Sequence, residues 1–249
     1  MKTTLMKTSL SFGFAWLLLA SSVCFAGTVL NGSFENDYVN WSSQGNATIE
    51  TSAFGGVNPT DGAKQALIRT NDGAGADETV SNLASLLFKI PEAQITALAT
   101  DTAQAGSGLT QVITGVNVGD KLNFSWNYLT SEAAGITNND FGFFSISTNA
   151  IGGPKTAMLL ADTNAVTTPF SSAENYFSRQ TGYSPMSYTF NVAGDYTIGF
   201  GIVNVTDTTF RSGLLIDSVS LTAVPEPTAL AGLGLVGLAL TLRRRRKEG

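Results

Sequence analysis

Residues Lys121–Thr130 read KLNFSWNYLT, and their alternation decides the fold. Leu122, Phe124, Trp126 and Tyr128 point one way and Asn123, Ser125 and Asn127 the other, the period-two pattern of a half-buried strand. Gly119-Asp120 before it is a turn signal. Working outward, the same alternation recurs in Asp140–Thr148 (DFGFFSIST), Thr156–Ala161, Met186–Val192, Asp195–Val205 (DYTIGFGIVNV) and Gly213–Ala223 (GLLIDSVSLTA). Ala193-Gly194-Asp195 predicts a hairpin between two of them. Upstream candidates are Thr28–Leu30, Ala47–Thr51, Gln65–Arg69 and Leu109–Val116. About ten short strands at this spacing predict an all-β sandwich or jelly roll. One stretch departs from the pattern. Asp77–Ala99 (DETVSNLASLLFKIPEAQITALA) sets Val80, Leu83, Leu87 and Ile90 at helical spacing, with Asp77 available as a cap. Pro91 suits the first turn of a second helix bearing Ile95 and Leu98. This short helical insertion is expected to pack on the sandwich.

The composition excludes whole classes of chemistry. The 249 residues contain no histidine and one cysteine. No Ser-His-Asp or Cys-His nucleophile, His-ligated zinc or imidazole shuttle can be built. Cys24 alone makes neither an intramolecular disulfide nor a thiolate metal cluster. Between residues 27 and 224 there are seven basic and seventeen acidic side chains, a net charge of −10. Such a surface repels phosphate backbones and excludes nucleic acid as a partner.

Both ends read as addresses. Lys2 and Lys7 followed by the apolar Leu10–Ala20 form the first two parts of a secretory signal peptide. Cys24 and Ala26 occupy the −3 and −1 positions of a cut before Gly27. A lipoprotein cut before Cys24 competes, but Val23 is larger than that cut prefers. The expected domains are therefore a signal peptide (1–26), a β-sandwich (27–223) and a tail (224–249). The tail reads Val224-Pro225-Glu226-Pro227, fifteen uncharged residues (Thr228–Leu242), then Arg243, Arg244, Arg245, Arg246 and Lys247. The two prolines stop a strand, and the apolar run forms a hydrophobic helix of marginal membrane-spanning length. The basic cluster stays cytoplasmic by the positive-inside rule.

Pro-Glu-Pro, apolar helix and arginine cluster, in that order, resemble the PEP-CTERM sorting signal. The resemblance implies a protein exported by the Sec machinery of a Gram-negative bacterium and transiently anchored by its tail. An exosortase then processes it near the Pro225-Glu226-Pro227 motif, leaving it at the cell surface or outside the cell. It also implies association with exopolysaccharide and biofilm. Asn31-Gly32-Ser33-Phe34-Glu35 with Trp41, and Leu214–Val219, resemble the opening and closing of jelly-roll carbohydrate-binding modules with a galactose-binding-like fold. GSGLTQVI (106–113), GDKLNFSWNYLTSE (119–132), NDFGF (139–143) and GIVNVTD (201–207) resemble pieces of exported PEP-CTERM proteins. The jelly-roll resemblance implies a structural calcium ion tying the first strand to the last, with Glu35 and Asp217 as side-chain ligands. Calcium takes six to eight oxygens, and backbone carbonyls near Gly27 could complete the shell.

Three functional readings stay open. A structural or adhesive surface protein is favoured over a module with a defined glycan pocket. Sugar stacking needs exposed rings. Tyr176, Phe177 and Tyr183, in the polar stretch SSAENYFSRQTGYSP, are the expected binding surface, whereas Trp126 and Tyr128 belong to an apolar face. A carboxylate-dependent glycosidase would need a pair such as Glu132 and Asp140; the plainer reading is that Glu132, Asn138, Asn139 and Asp140 form a solvated loop or a cation site, nothing in the sequence raises catalysis, and no enzyme is expected. The loop Asn71–Glu78 (NDGAGADE) lacks the third glycine and the context of a phosphate cradle. Five N-x-S/T sites (Asn31, Asn40, Asn46, Asn123, Asn204) carry no weight in a bacterial host.

Overall fold

The alternating stretch Lys121–Thr130 forms a central strand of one of two antiparallel sheets. The computed structural model describes residues 27–70, 77–133, 137–170 and 177–224, which belong to one unit, Phe25–Val224. Strands are numbered in chain order. The six-stranded sheet holds β1 (Ser42–Gln44), β4 (Glu78–Thr79), β5 (Ala103–Val116), β7 (Phe141–Thr148), β8 (Lys155–Asp162) and β12 (Gly194–Val205). Its order is β1-β5-β12-β7-β8, with β4 also beside β5. The seven-stranded sheet holds β2 (Asn46–Thr51), β3 (Lys64–Arg69), β6 (Lys121–Thr130), β9 (Thr168–Pro169), β10 (Arg179–Gln180), β11 (Ser184–Thr189) and β13 (Ser212–Thr222). Its order is β2-β3-β13-β6-β10-β9, with β11 also beside β6.

The path is that of a jelly roll. The long strands lie as β3-β13-β6-β11 in one sheet and β5-β12-β7-β8 in the other. From β3 onward, every step between consecutive long strands crosses sheets except the hairpin β7–β8. That wrapping is the double Greek key of jelly rolls. Between the sheets the rings of Phe124, Phe144 and Phe200 meet at 4.9–5.8 Å. Trp41 and Phe34 close the same core. The Asn31-Gly32-Ser33-Phe34-Glu35 opening is a knot of turns rather than the expected strand at Thr28–Leu30. Asn31 holds it, donating to the carbonyls of Asp37 and Val39 while its own carbonyl accepts the Trp41 indole N–H.

The structure corrects two local expectations. Ala193-Gly194-Asp195 does not close a hairpin, since β11 and β12 lie in opposite sheets. Phe190 past the end of β11 still exchanges hydrogen bonds with Gly119 and Asp120 at the start of β6. Its ring packs on Tyr196 of β12 across the core, centroids 4.7 Å apart. Burying both aromatics between the sheets makes the turn an arch. The insertion is helical, as expected, but runs as Val80–Asn82 (α), Leu83–Phe88 (π) and Ala93–Thr96 (α). Thr79 caps it by accepting from Asn82 N–H, while Asp77 accepts from Asn46.

That insertion covers part of the outer face of the six-stranded sheet, leaving Val112 of β5 and Leu159 of β8 exposed. Val80, Leu83, Leu87, Phe88, Ile90 and Ile95 bury against Phe141, Phe143, Ala157, Val203 and Val205. Each large side chain so buried contributes roughly 1.5–3 kcal/mol of transfer free energy. Part of the other sheet's outer face is covered too. Phe54, Phe170 and Phe177, all from connecting segments, lie on Leu67, Leu129 and Leu215.

Candidate functional site

Two polar constellations and one aromatic one carry the residues singled out by sequence. The first joins the start of the domain to its last strand. The Asp217 carboxylate is buried. Its Oδ2 accepts the N–H groups of Thr60 and Asp61 at 2.5 and 2.9 Å and the Thr60 hydroxyl at 3.1 Å. Its Oδ1 takes the Ser218 N–H at 2.7 Å. Glu35 Oε1 accepts from Ala63 and Lys64 N–H at 2.7 and 2.8 Å. Both acids thus grip one loop, residues 60–64, from opposite ends of the chain. Gly62 is required there: its φ is +81°, and a Cβ would lie 2.4 Å from Glu35 Oε1. Burial pushes the Asp217 carboxyl up, and the N–H bonds from Asp61, Ser218 and Thr60 pull the other way.

Carboxylate oxygens are the ligand type that calcium takes; here both Asp217 oxygens and Glu35 Oε1 accept N–H or O–H donors from residues 60–64 and Ser218. Among the described residues no three His, Cys, Asp or Glu side chains group to hold a metal. An ion here would therefore draw the rest of its shell from backbone carbonyls.

The structure departs from the aromatic expectation at Phe177. Phe177 is 3% exposed and sits in the apolar cap with Phe54 and Phe170, centroids 6.3 Å from each. Its ring fills the space over Gly213, where a Cβ would come within 2.7 Å of it. Tyr183 packs against the same cap, and its hydroxyl donates to Gln65 Oε1. Burial, then the charge of Asp217, pushes that phenol up. The Phe177 ring is closed to a sugar face, whereas Tyr183 is half-buried. Polar neighbours in sequence pointed to exposure, but the Phe177 ring is covered by residues remote in the chain. Tyr176 lies outside the described residues, as do the signal peptide, Pro225, Glu226, Pro227 and Arg243–Arg246.

The third constellation is the end of the sandwich where β6 runs into β7 and β12 into β13. Asp140 is 1% exposed; its Oδ1 accepts Val205 N–H at 2.9 Å and its Oδ2 the Ser212 hydroxyl at 2.7 Å. The Ser212 hydroxyl also meets that of Thr130 at 2.9 Å. Tyr128 donates its hydroxyl to the Asp140 carbonyl at 2.8 Å. Asp140 therefore links the two sheets internally. Burial pushes its carboxyl up to about 8, against the two hydrogen bonds, with Glu132 and Asp207 adding to the rise. Glu132 is raised to about 7 by burial and by Asp207, with Arg179 opposing. A cavity of about 240 Å³ opens beside this end, lined by Thr100, Asp101, Thr137, Asn139 and Asn164. Sequence reasoning reached Glu132, Asn139 and Asp140 but missed Asp207 and Arg179. They come from distant segments with no local motif to mark them.

No curated protein matches the chain. Among solved structures it is similar to the carbohydrate-binding module TmCBM61 in complex with β-1,4-galactotriose. The two are 10% identical over 79% of this chain and 97% of that one, with a TM-score of 0.42. The K1 cleaved adhesin domain of Lys-gingipain from Porphyromonas gingivalis W83 is 12% identical over 81% of this chain and all of that domain, with a TM-score of 0.43. The CBM22-1–GH10 modules of Clostridium thermocellum xylanase 10B, complexed with xylohexaose, are 11% identical over 81% of this chain and 29% of that one, with a TM-score of 0.38. Residues 223–246 match the PEP-CTERM protein-sorting motif, so the chain carries a PEP-CTERM sorting signal directly behind the last strand of a jelly-roll β-sandwich.

Proposed function

We propose that this is an exported surface or extracellular-matrix protein with a structural or adhesive role in association with exopolysaccharide, its tail processed by an exosortase. The sorting motif carries the reading. β13 ends at Thr222 and the motif begins at residue 223. Val224 N–H is still held by Asp120 Oδ1 at 2.9 Å. A cut near Val224–Pro227 would therefore release a finished domain. The apolar layers over part of each sheet's outer face support a structural body over one built around an open aromatic platform. Mass spectrometry of the surface-released protein should find a new C-terminus near Val224–Pro227. Recovery of chains still carrying Arg243–Lys247 in that fraction would replace sorting with a permanent anchor.

The module reading has one observation in its favour: the amide- and hydroxyl-lined cavity at the loop end offers hydrogen bonds suited to sugar hydroxyls. Saturable binding on a glycan array would favour it. The glycosidase reading requires polysaccharide turnover that disappears in Glu132→Gln or Asp140→Asn. The clip at Glu35 and Asp217 is proposed to take a structural calcium ion. At calcium a hundredfold above Kd, binding stabilises by about 2.7 kcal/mol, or roughly 5–10 °C in melting temperature. Chelation should lower the melting point of the parent by at least that amount, and by more than it lowers that of Asp217→Ala. Equal shifts would remove the ion from this place.

A further inference from the structure

We propose that the loop end of the sandwich holds a second cation site, distinct from the Glu35–Asp217 clip. There Glu132 and Asp207 would bind a hard divalent cation of calcium's class. Glu132 follows β6 and is 1% exposed. Among the described residues its buried Oε2 has no hydrogen-bond partner. Buried oxygens without partners are rare in native structures, and a bound ion or water is a common reason for them.

The charges around Glu132 point the same way. Asp207, just past β12, is the acid that acts on it. Asp207 keeps its carboxylate oriented by accepting Thr209 N–H at 2.8 Å and the Asn138 amide. Arg179 is the opposing cation, but its guanidinium is given to main-chain carbonyls, those of Val166 at 2.7 Å and of Glu132 itself. The Glu132 carboxylate is left with a like-charged neighbour and an unmatched lone pair. A proton would cancel the charge but add a buried O–H that itself needs an acceptor. A cation answers both.

The donors present select the kind of ion. The chain has no histidine, and the groups at this end are carboxylate, amide and hydroxyl oxygens, which suit calcium or magnesium rather than zinc or copper. Because no three acidic side chains converge among the described residues, two carboxylates would supply the charge and water much of the shell. The cavity lined by Thr137 and Asn139 on the same β6–β7 connection gives that water a way in. Asp140 is not a ligand, since it is buried and both its oxygens are held inside the sandwich; Asp207 accepts one hydrogen bond at each oxygen but is only half-buried, and the second lone pair of each oxygen remains for an ion.

The test is calcium titration of the exported protein after chelator treatment and dialysis, by calorimetry and by melting. In Asp217→Ala, which disables the clip, calcium should still bind and raise the melting temperature, by roughly 5–10 °C at a hundredfold excess over Kd. Adding Glu132→Gln, nearly isosteric, or Asp207→Asn should weaken that binding at least tenfold and remove the shift. Circular dichroism checks that each variant is folded, and the second variant decides if the first is not. A calcium isotherm unchanged by both substitutions overturns the proposal. So does an Asp217→Ala protein that binds no calcium and gains stability only on acidification, which would make the proton the occupant.

Discussion

Replacing Phe177 by alanine separates a core role from a sugar-stacking one. The ring is 3% exposed, touches Phe54 and Phe170, and occupies the space above Gly213. Truncating a ring so placed costs the transfer free energy of the lost atoms plus a cavity term, about 3–5 kcal/mol. For a domain of this size each kcal/mol moves the melting temperature by about 2–4 °C, so the fall should be roughly 6–20 °C. Urea unfolding measures it directly, with a lower midpoint and an unchanged slope. Gly213→Ala supplies the reciprocal test. Its Cβ would press on Phe177 Cζ at 2.7 Å, an overpacking of about 1–3 kcal/mol. In the double variant that clash is gone, so the two costs should fall short of additivity. A Phe177→Ala protein of parental stability that no longer sediments with polysaccharide would refute the core assignment and restore the ring to a binding surface.

Three further outcomes follow from the same geometry. In chelator-containing buffer, Asp140 holds its proton up to about pH 8 when folded but releases it near its ordinary value of 3.8 when unfolded. Between those limits the folded state binds more protons, so stability should fall as pH rises, Asp140 contributing at most about 1.4 kcal/mol per pH unit and Glu132, raised to about 7, adding to the fall below that pH. Asp140→Asn should flatten that slope, and a parent whose urea midpoint climbs from pH 5 to 8 would contradict the assignment. Asp217→Ala leaves the Thr60 and Asp61 N–H groups without their acceptor, a loss of about 2–4 kcal/mol. Amide exchange in residues 60–64 should quicken, and unaltered protection there would mean that the clip does not hold the loop. Phe88→Ala should destabilise the whole domain by about 3–5 kcal/mol, because the insertion is a covering layer; a loss confined to residues 80–96 in hydrogen exchange would make it a separable appendage.

The jelly roll was legible because its long strands alternate. In β6 and β12 one face is aromatic or branched and the other polar or glycine, and period two needs no tertiary knowledge to read. The first half of β5, Ala103–Gly108, was not legible. It contains AQAGSG, residues poor in strand propensity. It is a strand because Gly106 and Gly108 let Ile202 and Phe88 approach closer than any Cβ would allow. The arch at Gly194 failed for a related reason. A short Gly-Asp turn is compatible with a hairpin or an arch, and what chooses is whether Phe190 and Tyr196 meet across the core. Phe177 was misread because exposure was inferred from its neighbours in sequence, whereas its cover comes from Phe54, Leu129 and Gly213.

The loop end shows where such reading stops and what replaces it. Glu132, Arg179 and Asp207 are brought together only by the jelly-roll path, which returns β6, β10 and β12 to the same end. Each looks like an ordinary loop charge in its own segment. A buried acid is costly unless it is paired, protonated or bound to metal. The fold satisfies Asp140 with Val205 and Ser212 yet leaves Glu132 Oε2 with no partner among the described residues. A purely structural end could have placed a glutamine or an apolar side chain there at lower cost. Retaining an acid beside a second acid is understandable where something positive arrives from outside. Calcium in the medium meets that condition for an exported protein, so the same observation that motivates the cation site also agrees with the compartment named by the sorting signal.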